Sequence, residues 1–208
     1  LRADRVIASD GSVWLSDLTT VFVDDIWREA TMPTLHDSAQ RYGAVTRLLH
    51  WSMAVLLGWQ FVTVLAHVLL EDSALDKFAW STHKATGLLL MVLVVIRLLW
   101  AFCSRNRRPA AVSTLARFGH LALYGLLFVI PFVALLRQYG SGREFVAFGM
   151  TVMPGFSDPK IDWMIAPASL LHGNLGWLLL LLVIGHVAMA FIHRRQGDED
   201  VLARMIGR

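Results

Sequence analysis

Apolar residues fall in four long blocks, Leu48–Leu70, Trp80–Phe102, Phe118–Leu136 and Ser169–Ile192, with charged and polar residues gathered between them. Each block reaches the roughly 20 residues that a helix needs to cross a bilayer. Each has to be helical, because lipid offers no partner to an unpaired backbone N–H or C=O. The pattern therefore predicts an all-α fold, an integral membrane four-helix bundle. Polar positions inside the blocks then carry the information. The last block, SLLHGNLGWLLLLLVIGHVAMAF, holds His172 and His186 fourteen residues apart. At about 100° and 1.5 Å per residue they share one helix face, roughly 21 Å apart along the axis. Ionisable groups in the membrane are costly. An aligned pair near the two sides of a bilayer predicts two stacked haems.

Charge sets the orientation. The formal net charge is +3, but the charges are sorted by side. Arg41, Arg47, Arg105, Arg107, Arg108, Arg117, Arg194, Arg195, Arg204 and Arg208 flank one side. Lys77, Lys84, Arg137, Arg143 and Lys160 flank the other, diluted by Glu71, Asp72 and Asp76. The positive-inside rule puts both termini and the Cys103–Arg117 loop in the cytoplasm. The basic excess is a topology signal, so no nucleic-acid partner is expected. Cys103 is the single cysteine, which excludes an intrachain disulfide and the Cys-x-x-Cys-His attachment of covalent haem. Haem here is expected to be b-type and held by histidine.

Residues 1–46 differ from the rest, with Asp4, Asp10, Asp17, Asp24, Asp25, Glu29 and Asp37 and no apolar stretch of signal-peptide length. They read as a cytoplasmic extension, either a docking segment or a tail, and residues 47–208 as the membrane domain. The longest loop, Arg137–Ala168, is apolar and aromatic in part and predicts a lid on the outer interface. Trp51, Trp80, Trp100 and Trp163 sit where interfacial aromatic belts belong.

The topology gives each of the eight histidines a depth. His50 and His186 are at the inner level, His83 and His172 at the outer one. A bis-histidine haem needs two imidazoles at one depth on facing helices. A porphyrin against a helix also needs a small residue one turn from its ligand. Four positions on stand Ala54, Gly87, Gly176 and Ala190 after His50, His83, His172 and His186. After His67 and His120 stand Glu71 and Tyr124, which fail that criterion. His67 and His36 read as interfacial polar residues and His193 as a surface residue. His120 leaves two readings open, a structural hydrogen-bond donor or part of a quinone pocket with Tyr124 and Arg117. Met53, Met91 and Met189 read as apolar filler before axial ligands. Arg97, fourteen residues after His83, predicts a salt bridge to an inner haem propionate, with snorkelling as the alternative. Arg47 and Lys84 are weaker candidates of the same kind for the inner and outer haem.

RYGAVTRLLHW, HKATGLLLMVLVVIRLLW with the following RRP, GHLALY, GREFVAFG, LHGNLGWLLLLLVIGH and the tail EDVLARMIGR occur in this order from Arg41 to Arg208. Together they resemble the prokaryotic cytochrome b561 family, which is related to the b-type subunits of nickel–iron hydrogenases. The resemblance implies two haem b groups in a four-helix bundle, with ligands falling on His50, His83, His172 and His186. Where the family often has Glu after the first ligand of the fourth helix, this chain has Gly173. It also implies an oxidoreductase that moves electrons between a periplasmic-side donor, superoxide in some members, and ubiquinone or another membrane quinone. The alternative is a cytochrome b anchor subunit of a hydrogenase or dehydrogenase, with a redox partner protein. A non-redox alternative is a transporter or structural membrane protein whose histidines bind metal or line a pore.

Overall fold

The computed structural model describes residues 35–196 and 201–207. Most of the predicted extension lies outside the described residues. Four long helices make up the bundle: α1 (Ala44–Leu69), α2 (Ala74–Cys103), α3 (Thr114–Gly140) and α4 (Asp162–Gln196). A short α5 (Val201–Ile206) follows. All four long helices are long and apolar enough to cross a membrane. Each extends beyond its apolar block, since the interfacial turns pair their backbone in the helix whatever their side chains are. Pro131 lies inside α3 without ending it.

Capping residues fix the starts. Ser73 accepts a hydrogen bond from the Asp76 N–H at 3.0 Å, and Ser113 from the Ala116 N–H at 3.1 Å. The predicted lid is more ordered than a loop. It begins with an antiparallel hairpin, β1 (Phe145–Ala147) and β2 (Met150–Met153), and ends where α4 starts at Asp162. The hairpin turns at Phe148 (φ 52°) and Gly149 (φ 76°), two left-handed residues as a two-residue turn of this twist requires.

Packing pairs α1 with α2 and α3 with α4, with a lesser contact between α2 and α3. Neither α1 nor α2 packs closely on α4. The dry core lies on one side of the resulting gap, where Met53, Leu90 and Val94 meet Leu127 and Phe128. Polar glue joins α1 to α2: Trp59 donates to Thr82 at 2.9 Å and Trp100 to Thr46 at 2.8 Å. Most other apolar side chains on the helices are exposed, as a lipid-facing surface demands. At the Cys103 end, Asp37 is buried, accepting from the Gly43 N–H at 2.8 Å and from Arg108 at 3.0 Å. The same end receives α5, through Tyr42 N–H to the Arg204 carbonyl and Trp51 to the Met205 carbonyl.

Candidate functional site

Across the gap between the helix pairs, four imidazoles meet two by two. His83 on α2 faces His172 on α4, with ring centroids 6.2 Å apart and planes crossed at 77°. His50 on α1 faces His186 on α4 at 6.3 Å and 68°. The four histidines matched by depth in the sequence are thus brought together in the matched pairs. The small residues one turn on behave differently from one another. A Cβ on Gly176 would meet nothing within 4 Å, whereas one on Gly87 would press on the Gln60 amide at 2.9 Å.

In the pair near the α1–α2 turn, the proton positions follow from the partners. Thr63 donates its only hydroxyl proton to the Gln60 carbonyl at 2.7 Å. Its contact with His83 Nδ1, also 2.7 Å, is therefore an N–H of the ring donating to the hydroxyl oxygen. His172 Nδ1 donates to the Ile130 carbonyl at 3.1 Å, since a carbonyl only accepts. Both rings are left with a bare lone pair on Nε2, the arrangement that second-layer hydrogen bonds impose on metal-binding histidines.

The other pair has a different environment. Arg97 Nη1 lies 2.8 Å from His50 Nδ1, and a guanidinium can only donate, so this ring nitrogen accepts. Arg97 Nε is buried and has no partner, and its guanidinium lies 5.4 Å over the Tyr124 ring. His120 stands 5.3 Å from His186, edge to face. Arg97, His120 and Tyr124 thus cluster beside the His50–His186 pair. Lys84, by contrast, is exposed and donates to Gln138 at 3.1 Å. The Arg47 guanidinium lies against Gly207 at the end of α5. Met53 is buried in the apolar core, as filler is.

Two features escaped the sequence reading. Thr63 lies a turn before His67 and carries no signal of its own. His67, read as an interfacial polar residue, donates its Nδ1–H to buried Asp76 at 2.9 Å and stacks on Trp80 at 3.9 Å. Asp76 in the first turn of α2 hints at a hydrogen-bond donor nearby but does not say which residue of α1 supplies it. His36 stacks on Trp100 at 5.6 Å. Among the described residues, no group of three or more His, Cys, Asp or Glu side chains is placed to hold a metal ion. A bis-imidazole site needs only two protein ligands, so the pairs do not depend on such a group.

Comparison with known proteins decides the family. Residues 41–208 match the prokaryotic cytochrome b561 family. The chain belongs to the prokaryotic cytochrome b561 family. It is 33% identical over 180 residues to Cytochrome b561 homolog 2 of Escherichia coli (strain K12), covering 83% of this chain and 94% of that one. It is 22% identical over 178 residues to Probable superoxide oxidase CybB of Yersinia pestis, covering 80% of this chain and 96% of that one. As a b561-type cytochrome with four membrane helices, it is a multi-pass inner-membrane protein with a role in electron transfer.

Proposed function

We propose that this chain is a di-haem b-type cytochrome, with His83 and His172 holding one haem towards the periplasm and His50 and His186 the second towards the cytoplasm. The observation that carries the reading is the equal spacing of the two imidazole pairs. With metal–nitrogen bonds of about 2.0–2.1 Å, as for zinc, two facing imidazoles that shared one ion would have ring centres on the order of 6 Å apart. The two pairs are 6.2 and 6.3 Å apart. The loose packing of α4 against α1 and α2, and the open space over Gly176, also suit a porphyrin lying between the helix pairs.

The pairs differ in one respect. The tautomers of His83 and His172 already suit ligation through Nε2. His50 accepts from Arg97 on Nδ1, which leaves the ring proton on Nε2. A propionate beside Arg97 would satisfy its unpartnered Nε and free His50 Nδ1, so Arg97 is the propionate partner in this reading. Lys84 and Arg47 are secondary candidates, since each has its present contact to give up first.

Held by two imidazoles, haem would supply a one-electron couple suited to outer-sphere transfer. The residues around it hold the rings, exclude water and balance the propionates. We take the electrons to pass between a donor on the periplasmic side and a membrane quinone such as ubiquinone, with His120, Tyr124 and Arg117 on the quinone side. Superoxide is the favoured donor, from the name of the Yersinia relative and from the cations Lys84, Arg137, Arg143 and Lys160, which would steer an anion. Both termini are cytoplasmic in this reading, with residues 1–46 an extension on the membrane domain of residues 47–208.

The test is haem content per chain for alanine variants. The parent should bind two haems, and His50→Ala, His83→Ala, His172→Ala and His186→Ala one each. His120→Ala should keep both and lose quinone reduction. Full haem content in any of the first four removes that histidine from the ligand set.

A further inference from the structure

The indole of Trp80 stacks with two imidazoles. The His67 ring lies 3.9 Å from it by centroids, with planes 10° apart. The His83 ring lies 4.9 Å away, with planes 25° apart. His67 is itself held, its Nδ1 2.9 Å from Asp76 Oδ1. Asp76 is 5% exposed, and its second oxygen accepts from the Asp72 N–H at 3.2 Å. Asp72 presents that N–H from a left-handed conformation (φ 63°) in the α1–α2 turn. The chain of contacts therefore runs from a rigid turn, through a buried carboxylate and two stacked rings, to one face of His83. An interfacial tryptophan anchor explains why Trp80 is 43% exposed. It does not explain why the indole stacks with two imidazoles.

His83 has two constraints of different kinds. The hydrogen bond to Thr63 fixes one edge of the ring, and stacking on Trp80 fixes its plane. A ligand bound to iron through Nε2 is otherwise free to turn about the iron–nitrogen axis, within what its side-chain torsions allow. The plane matters because His83 and His172 cross at 77°. With crossed planes each imidazole π-bonds to a different iron d orbital, so the two orbitals stay nearly degenerate. A low-spin ferric ion then gives a strongly anisotropic electron paramagnetic resonance signal at low field. Turning one ring towards its partner lifts the degeneracy and moves the signal to higher field.

We propose that Asp76, His67 and Trp80 form a buttress that fixes the plane of the His83 imidazole. The inference rests on the reading of His83 and His172 as ligands of one haem. Trp80 acts here as a positioning residue, touching the ligand and not the iron. Its removal leaves a ring that still binds but no longer has one orientation.

The test is the resonance spectrum of the oxidised full-length protein, with haem content measured on the same samples. His172→Ala identifies the periplasmic-side signal by losing it. Trp80→Leu should move that signal to higher field and broaden it, and the cytoplasmic-side signal should not change. His67→Ala should broaden the same signal to a lesser extent, and Trp80→Phe, which keeps a stacking face, should restore the parent position. Should Trp80→Leu shed the haem, His67→Ala decides, since it leaves both Trp80 and His83 in place. Spectra identical to the parent in the variants that keep two haems overturn the buttress, as does an equal shift of both signals. A parent without a second haem, or a His172→Ala chain that keeps both signals, sinks the ligand reading, an outcome distinct from either.

Discussion

Thr63 has one proton to give, and the Gln60 carbonyl takes it, so the hydroxyl oxygen acts towards His83 as an acceptor alone. The residue is fully buried, and no water competes for the contact. Thr63→Val keeps the shape and removes the acceptor, leaving the ring N–H of His83 unpaired. Loss of such a partner to a metal-binding histidine weakens the site about 10–100-fold. Haem titration of the valine variant should therefore show one weakened site and one of parental affinity, and Thr63→Ser should behave as the parent. At this scale the ring pairs were legible because depth and helical phase are properties of spacing, and fourteen residues returns nearly to one face. Thr63 and the Asp76–His67–Trp80 contacts were not, because they depend on how α1 and α2 slide along each other. No period within one helix encodes that register.

The helices themselves were visible as apolar blocks, and their true ends were not. Ala44–Arg47 and Asp162–Ala168 add little hydropathy, yet their backbone continues the helices beyond the apolar blocks. The hairpin was read as part of a lid because β1 and β2 are short and only partly alternating. Its turn signal, Phe148–Gly149, has a residue other than glycine or asparagine in the first left-handed position. Two glycines nearby make a contrast that tests this local reading. Gly142 has φ 68°, and a Cβ there would lie 2.8 Å from the Phe156 carbonyl oxygen. Gly149 has φ 76° with nothing within 4 Å of such a Cβ. Gly149→Ala should cost only the left-handed strain of an L-residue, about 1–2 kcal/mol. Gly142→Ala should cost more, because the Phe156 N–H donates to the Gly142 carbonyl at 2.9 Å and the backbone of that bridge must also move. Thermal unfolding in detergent should rank them in that order, and equal losses would argue against the bridge.

For the whole molecule, sidedness determines which imidazole pair faces which membrane surface. The end that carries Cys103 also carries Arg105, Arg107, Arg108 and Arg117, and there segment 35–43 meets α5. Arg108 is tied to Asp37, but the other three arginines form no ion pair among the described residues, and their positive charge is what the positive-inside rule counts. Cys103 is exposed at the end of α2, so the single native thiol is a reporter of that end. A membrane-impermeant maleimide should leave Cys103 unlabelled in intact cells and label it once the inner membrane is opened. A cysteine at Lys160, exposed at the opposite end of the bundle and placed in a Cys103→Ser background, should label in intact cells. Labelling of Cys103 from outside would invert the bundle. His50, His186 and the Arg97–His120–Tyr124 cluster would then face the periplasm, and the donor and quinone sides proposed here would exchange.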